Sequence, residues 1–230
     1  MITPIAHIRS PFPTKFGIPR QPGLVPNLKA KIVFEPEYRI PEAFRGLEGY
    51  SHIWLIWKFH MAERDAWSPT VRPPSLGGNK RVGVFATRSP FRPNPIGLSV
   101  VELVSIEYNT PDGCVLNIKG ADLMDNTPVY DIKPYLPHID SVPYASAGFS
   151  GDAAQHRLDV NIPEKLLERI SPQNRAAVKA ILEQDPRPGY QRDPEREYGF
   201  FYDDMEIKFK AADRSLTVTD IIKRNRTDND

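Results

Sequence analysis

The sequence predicts a mainly β protein in which a closed or nearly closed sheet is followed by a small α+β domain. Short runs of Val, Ile and aromatic residues, separated by Pro and Gly, recur through the first part of the chain. Proline supplies 24 of the 230 residues and disfavours the interiors of helices and sheets, which indicates long, stiff loops. A change of composition near residue 145 indicates a boundary, so we expect domains over 1–145 and 150–230.

Six apolar runs predict the strands of the first domain: Ile2–Arg9, Ala30–Glu35, Ser51–Phe59, Arg81–Ala86, Leu98–Tyr108 and Cys114–Lys119. Because apolar residues occupy both alternating sets of the fifth run, we expect that strand to be buried on both faces. A proline in the first turn predicts one short helix over Pro41–Gly46. A closed sheet of these strands would leave no edge exposed.

The second domain is predicted to mix helices with strands. Small and polar residues over Ser141–Asp152 are typical of a linker. Beyond the linker we expect one helix over 163–170 and a second helix from Pro172 to Gln184, with Ser171 as its N-cap. Apolar and charged residues alternate over 205–210, which predicts a half-buried strand that is followed by a return strand.

Composition excludes several classes of protein. Cys114 is the only cysteine, so the chain has no internal disulfide, and this fits a reducing cytoplasm. The longest apolar stretch, Ile53–Trp57, is too short to cross a bilayer, so we expect no membrane span. The histidines lack the spacing of metal ligands, and we expect no metal. The net charge of +1 indicates no partner, so any argument from charge must be local.

The stretch ATRSPFRPNPIGLS, residues 86–99, holds three prolines within six residues, together with Arg88 and Arg92. Residues 79–92 carry four basic residues and no acidic ones. A loop stiffened by proline loses little entropy on binding, so these arginines suit a phosphate, a carboxylate or a nucleobase. The alternative is a solvated loop whose arginines pair with nearby carboxylates.

Two further loops and one histidine are candidates for chemistry. Residues 18–26, IPRQPGLVP, place backbone amides around Gly23, where a ligand could approach closely. Residues 120–135 hold Asp122, Asp125 and Asp131. One interpretation is turn architecture, with Asp125 bonding its own backbone in DNTP, and the other is a carboxylate that accepts a ligand hydroxyl or amine, or takes a proton. His60 follows an apolar strand, where a structural histidine is the more common interpretation. No P-loop or G-x-G-x-x-G motif occurs, so a dinucleotide fold is not predicted.

Several motifs together resemble one known family: RSPF (9–12), RQPGL (20–24), RGLEGYSHIWLIWKFH (45–60), TVRPP (70–74), LGGN (76–79), VGVFATRSPFRPNPIGLS (82–99) and DNTPVYDIKPYLP (125–137). Through them the chain resembles the TsaA-like family of S-adenosylmethionine-dependent tRNA methyltransferases over residues 2–145. DPRPGYQ and YGFFYDDMEIKFK resemble, more loosely, the C-terminal domain of its bacterial members.

The resemblance implies a single-sheeted β-barrel, a homodimer with the cofactor site near the subunit interface, and a tRNA-recognition role for the C-terminal domain. It implies methylation at N6 of threonylcarbamoyladenosine, next to the anticodon of threonine tRNA. Carried over by motif, the residues expected to contact S-adenosylmethionine are Gln21, Pro22, Gly23, His60, Met61, Arg88, Leu98, Lys119, Gly120, Ala121 and Asp122.

Methyl transfer from a sulfonium is an in-line displacement, in which positioning of the reactants supplies much of the rate and no metal is required. The urea-like N6 is a weak nucleophile, and a carboxylate or a histidine could accept its proton. Asp122, Asp131 and His60 are the candidates. The threonyl carboxylate suits an arginine fork, for which Arg92 is the first choice.

Two other classes of function stay open at this stage. One is a methyltransferase of a small molecule, and the other is a non-catalytic module that binds the cofactor or tRNA. The C-terminal domain favours RNA, because a small substrate needs no additional platform. Acidic residues slightly outnumber basic ones over 146–230, so the RNA role of this domain depends on the resemblance. We also expect the first domain to bind the cofactor without the second.

Overall fold

The computed structural model describes residues 2–62, 66–76, 78–150, 157–187 and 193–224. In chain order the described strands are β1 (Ala6–Arg9), β2 (Lys29–Phe34), β3 (His52–Lys58), β4 (Thr70–Val71), β5 (Val82–Gly83), β6 (Ile96–Thr110), β7 (Gly113–Lys119), β8 (Pro128–Pro134), β9 (Asp159–Asn161), β10 (Tyr198–Tyr202), β11 (Met205–Ala212) and β12 (Ser215–Lys223). The described α-helices are α1 (Pro137–Asp140), α2 (Glu164–Leu167) and α3 (Pro172–Glu183).

Six of these strands close into a barrel in the order β1-β2-β7-β6-β3-β8, and every neighbouring pair is antiparallel. Alternate residues point inward and form one apolar core, which includes Ile8, Ile32, Leu55 and Leu116. The period-2 pattern of the apolar runs therefore produces a closed sheet. The prediction of a mainly β fold with a barrel is confirmed.

Strand β6 is buried on one face only, so the expectation of burial on both faces is wrong. Ser99, Val101 and Leu103 point into the barrel and are buried. Leu98 and Val104 lie on the outer face and are exposed. The outer face of an antiparallel barrel can face solvent, so apolar residues at the outward positions of a strand do not imply that this face is buried.

Proline explains where the predicted elements differ from the observed ones. The strand expected over Arg81–Ala86 is reduced to the two residues of β5, and a 3-10 turn follows it. The helix expected over Pro41–Gly46 is a 3-10 helix over Pro41–Phe44. Strand β8 was not predicted, because prolines at both of its ends indicate a turn; proline is tolerated at strand ends, where a ladder bond is not needed.

The C-terminal part contains a four-stranded sheet in the order β10-β11-β12-β9, in which β9 is parallel to β12. Helix α3 lies where the sequence predicts it, and its buried residues Val178, Ile181 and Leu182 join the core of this sheet. The linker expected over Ser141–Asp152 is exposed over most of 141–150, and its last two residues lie outside the described residues.

Residues 11–28, which precede β2, contribute side chains to the core of the C-terminal sheet and hydrogen-bond to the end of the barrel. Phe12, Val25 and Leu28 belong to the core of that sheet. The ring of Phe12 meets Tyr202 edge-on at 5.7 Å between centroids. A Cβ atom on Gly17 would lie 2.4 Å from the side chain of Phe200, so only glycine allows this approach. The two halves of the chain therefore share one segment.

Candidate functional site

One mouth of the barrel gathers the loops that carry most of the predicted site residues. Strands β1, β3 and β7 end at this mouth, and β2, β6 and β8 begin there, because all neighbouring strands are antiparallel. The loops 10–28, 59–95 and 120–127 therefore meet at one end of the barrel. The antiparallel topology thus brings together motifs that are far apart in the sequence.

A pair of glycines joins the first loop to the end of β7. The N–H of Gly23 donates to the carbonyl of Gly120 at 2.9 Å, and the N–H of Gly120 donates to Leu28 at 2.9 Å. Both glycines have left-handed backbones, with φ of 78° and 76°. Among the described residues, no atom lies within 4 Å of a Cβ built on Gly23. This glycine therefore leaves open space in which a ligand can reach the backbone.

Arg88 connects the proline-rich loop to the first loop. Its guanidinium donates a hydrogen bond to Oε1 of Gln21. Burial raises the pKa of the Asp122 carboxyl, and the positive charge of Arg88 partly opposes this rise. Gln21, Arg88 and Asp122 are therefore neighbours in the folded chain, as the motifs imply.

A buried chain of hydrogen bonds holds the carboxylate of Asp122. Nε1 of Trp57 donates to Oγ of Ser99 at 3.0 Å, and that hydroxyl donates to Oδ1 of Asp122 at 2.7 Å. Ser99 is fully buried, and Trp57 is nearly so. A Cβ on Gly97 would lie 2.3 Å from the indole, so this glycine makes room for Trp57. The carboxylate thus has a fixed orientation.

Burial raises the pKa of Asp122 above the ordinary value of 3.8. The hydrogen bonds from Ser99 and from its own backbone, together with the charge of Arg88, oppose this effect without cancelling it. A carboxylate with a raised pKa is a stronger proton acceptor than a solvated one. A carboxylate whose pKa is raised by burial beside a specific charge is a candidate functional group.

The sequence alone does not identify Ser99 and Trp57 as site residues. Neither type of residue is distinctive within an apolar strand, and their contact spans 42 positions. One signal was available: a buried tryptophan needs a partner for its N–H, and Gly97 and Ser99 are the small residues at the start of β6.

Asp131 and Leu98 lie on the outer face of the barrel, opposite to Ser99. Both residues pair with Ile56 of β3, whereas Ser99 pairs with the inward-facing Leu55. The carboxylate of Asp131 forms an ion pair with Lys133 at 3.0 Å. The exposed fraction of Leu98 is 54%. The structure therefore separates these two residues from the Asp122 carboxylate.

The remaining candidates occupy varied positions around the mouth. Met61 is 77% exposed, whereas Ala121 is fully buried in the barrel core. His60 follows β3 and is half-buried. Lys119 forms an ion pair with Glu102 at 3.5 Å. Pro22 lies in the first loop, next to Gln21 and Gly23. Among the described residues, the structure shows no cluster of three metal-ligating side chains.

Arg92 shapes its own loop. Its Nη1 donates to the carbonyl of Thr87 at 3.1 Å, and the hydroxyl of Thr87 donates to Val84 at 2.8 Å. A guanidinium has five N–H donors, and this contact uses one of them. Arg92 therefore closes the loop and retains donors for a ligand.

The closed barrel and its mouth are compared with known proteins, and the matches belong to a class of methyltransferases. Residues 7–141 match the model of the tRNA-methyltransferase O N-terminal domain, and residues 155–224 match that of the TrmO C-terminal domain. The chain belongs to the TrmO family. The resemblance inferred from the motifs is therefore confirmed.

Similar proteins cover nearly the whole chain. A tRNA (adenine(37)-N6)-methyltransferase from Escherichia coli K12 is 42% identical over 222 residues, which cover 93% of this chain and 94% of the relative. A crystal structure of TrmO from P. aeruginosa has a TM-score of 0.79 at 35% identity, and the match covers 97% of this chain and 96% of that chain. A probable S-adenosyl-L-methionine-binding protein from Methanothermobacter thermautotrophicus is 41% identical over 141 residues, covering 61% of this chain and 93% of the relative.

No helix in the described part of the chain is long and apolar enough to span a membrane.

Proposed function

We propose that this protein is a tRNA methyltransferase that transfers a methyl group from S-adenosylmethionine to N6 of the adenosine at position 37. The observation that carries the proposal is the Asp122 carboxylate, which is held by a buried serine beside Arg88 in a chain of the TrmO family. The finer assignment is to threonylcarbamoyladenosine in threonine tRNA, and the motif resemblance supports it.

The residues at the mouth fit S-adenosylmethionine. The open side of Gly23 and the amide of Gln21 suit the polar groups of a nucleoside. The carboxylate of Asp122 suits a ligand that carries positive charge. When bound, the cofactor supplies a methyl group that is activated by its sulfonium. We assign cofactor contacts to Gln21, Pro22, Gly23, Arg88 and Gly120.

In this mechanism Asp122 would accept the proton of N6 while the lone pair of the nitrogen bonds the methyl carbon and the carbon–sulfur bond breaks, its electron pair leaving on the sulfur of the demethylated cofactor. The electron pair of the N–H bond stays on nitrogen, and the proton later leaves the carboxylate for water. Ser99 and Trp57 keep the acceptor oxygen in place, which limits the reorganisation needed during transfer. We prefer Asp122 to Asp131 because Asp131 is already ion-paired on the outer face.

Arg92 is our candidate for the carboxylate of the threonyl group. One of its donors fixes the loop, so the guanidinium has a defined position before the substrate arrives. A planar guanidinium binds a carboxylate through two parallel hydrogen bonds, which gives direction as well as affinity. This contact would distinguish threonylcarbamoyladenosine from plain adenosine.

We further propose a cytoplasmic homodimer in which the C-terminal domain contributes to tRNA recognition. Support for the dimer comes from the outer face of β6, where Ile96, Leu98 and Val104 are exposed apolar residues on one strand. A second copy would cover this face and bring Leu98 close to a subunit interface. Support for the RNA role of the C-terminal domain comes from the family resemblance.

Mass spectrometry of nucleosides tests the function in cells. A strain that lacks the gene should lose the methylated form of threonylcarbamoyladenosine, and the unmethylated form should accumulate. The wild-type gene should restore the methylated nucleoside, whereas the gene for Asp122→Asn should not. Unchanged nucleosides in the deletion strain would overturn the proposal and favour a small-molecule methyltransferase.

A further inference from the structure

The segment over residues 66–101 is basic and contains no acidic residue of its own. Over residues 66–101 the sequence contains no Asp or Glu, and its basic residues are Arg72, Lys80, Arg81, Arg88 and Arg92. None of these five takes part in an ion pair between described residues. The side-chain hydrogen bonds of Arg81, Arg88 and Arg92 go to neutral oxygens. The loop therefore concentrates positive charge.

Two large aromatic side chains stand exposed on the same loop. Trp67 is 51% exposed and Phe85 is 72% exposed. Their ring centroids are 6.2 Å apart and the ring planes are inclined by 31°. Aromatic residues are usually buried, and an exposed apolar pair beside charged residues is typical of a binding surface.

The fold holds this aromatic pair in place. Strands β4 and β5 form a short antiparallel ladder between the two residues, and the N–H of Val84 donates to the carbonyl of Pro69 at 2.9 Å. Trp67 and Phe85 thus lie just outside the same end of one hairpin. Phe85 is also three residues before Arg88, which reaches into the candidate site. The pair is therefore built into the chain that leads to the cofactor mouth.

Two arginines lie at the other end of the same ladder. Val71 pairs with Val82, so Arg72 and Arg81 are the next residues on the two strands. Like charges on facing positions repel each other, and no described carboxylate pairs with either of them. A polyanion that binds there would relieve this repulsion.

We propose that Trp67 and Phe85 form a stacking platform for unpaired bases of the tRNA anticodon loop, while Arg72, Lys80 and Arg81 contact the adjacent phosphates. This inference rests on the proposed function, because RNA is the substrate only in that case. Aromatic stacking with basic contacts to the backbone is the general mode of single-stranded nucleic-acid recognition. A second copy fits this surface less well, since a two-fold contact through it would bring two positively charged segments together.

Fluorescence anisotropy with two RNA probes tests the platform. One probe is the anticodon stem-loop of threonine tRNA, and the other is a fully paired duplex of equal length. Trp67→Ala and Phe85→Ala should each weaken stem-loop binding about five- to 150-fold, the range expected for one stacked base, and should leave duplex binding unchanged. Trp67→Leu, which keeps apolar volume without a ring, should behave like alanine.

Matched variants separate stacking from other effects. Tyr144→Ala removes an aromatic residue that is 91% exposed outside this loop and should bind the stem-loop like wild type. Arg72→Ala and Arg81→Ala should weaken both probes and reduce the slope of log affinity against log salt by about one each. The Michaelis constant for tRNA should rise in the Trp67 and Phe85 variants, while that for S-adenosylmethionine should not.

Three results would overturn the inference. The first is that the Trp67 and Phe85 variants bind the stem-loop as tightly as the wild type does. The second is that these variants bind the stem-loop and the duplex with equally reduced affinity. The third is that these variants differ from the wild type in oligomeric state on sedimentation. The last result would assign the surface to a second copy. Failure of the proposed function is distinguishable, because it would appear as an absence of methyl transfer to tRNA by the wild-type protein.

Discussion

Two buried polar groups, one in each half of the chain, show how a reactive arrangement differs from a structural one. In the C-terminal half, Arg187 donates to both carboxylate oxygens of Asp185 at 2.7 and 2.9 Å and to the carbonyl of Ala211 at 3.0 Å. At the barrel mouth, Asp122 accepts hydrogen bonds from Ser99 and from its own backbone, and burial still raises its pKa. Arg187 is held by a paired carboxylate and a backbone carbonyl, whereas Asp122 keeps the capacity to take a proton.

The largest effect is expected for Asp122→Asn. The amide oxygen can still accept the hydrogen bond of Ser99, so the site should keep its shape while it loses its proton acceptor. Turnover at saturating cofactor should fall about 10²- to 10⁴-fold, the usual contribution of a positioned base. Single-turnover methylation measures this change, and wild-type turnover would show that Asp122 is not the acceptor.

The same variant should not lose stability at neutral pH. Because the folded pKa of Asp122 is raised, its contribution to stability is fully present below 3.8 and is lost as the pH rises through the folded pKa. Asparagine does not titrate, so the unfolding free energy of the variant should increase relative to that of the wild type as the pH rises. Urea unfolding across this pH window measures the difference in unfolding free energy. If the wild type instead became more stable relative to the variant as the pH rises, burial would not be the dominant effect on the pKa of Asp122.

A smaller effect is expected for Arg88→Ala, which removes the link between the proline-rich loop and Gln21. Affinity for S-adenosylmethionine should fall roughly ten- to a hundredfold, since a hydrogen bond to a charged group is worth about 1.5–3 kcal/mol. Arg88→Lys should restore little of the affinity for S-adenosylmethionine, because lysine lacks the planar guanidinium. Calorimetry of both variants is the measurement, and wild-type affinity of the alanine variant would remove Arg88 from the cofactor site.

Asp185→Asn should show the opposite pattern to Asp122→Asn. It leaves Arg187 buried without its charge partner, so unfolding free energy should fall by about 1.5–3 kcal/mol. Asparagine also tolerates the left-handed backbone of this position, where φ is 52°. Turnover of the folded protein should stay close to wild type. A loss of turnover without a loss of stability would show that the structural pair also serves catalysis.

The smallest effect is expected for Gly17→Ala, which would force Phe200 away from residues 11–28. Because this segment carries Gln21–Gly23, affinity for S-adenosylmethionine should fall a few-fold at a site that the substitution does not touch. Gly46→Ala is the matched control, since Gly46 has a similar left-handed backbone, with φ of 90°, in open space. Equal cofactor affinity in both variants would show that the C-terminal sheet does not position the loop.

Much of the barrel and part of the site could be predicted from the sequence. Alternating apolar residues predicted most barrel strands, and the proline-arginine loop pointed to Arg88, because both signals are local. The contact of Trp57 with Ser99 depends on the register of two strands, which no local pattern encodes. The packing of Phe12 on the C-terminal sheet was also missed, since a Pro- and Gly-rich loop has no periodicity. Because residues 11–28 pack on that sheet, cofactor binding by residues 1–145 alone stays a prediction.

The most direct test of the central claim is single-turnover methylation of threonine tRNA taken from a strain that lacks this protein. Wild-type protein with saturating S-adenosylmethionine should convert threonylcarbamoyladenosine to its N6-methylated form, as followed by nucleoside mass spectrometry. Asp122→Asn should bind tRNA but convert it about 10²- to 10⁴-fold more slowly. Failure of the wild type to methylate this nucleoside, or equal rates for the two proteins, would contradict the account.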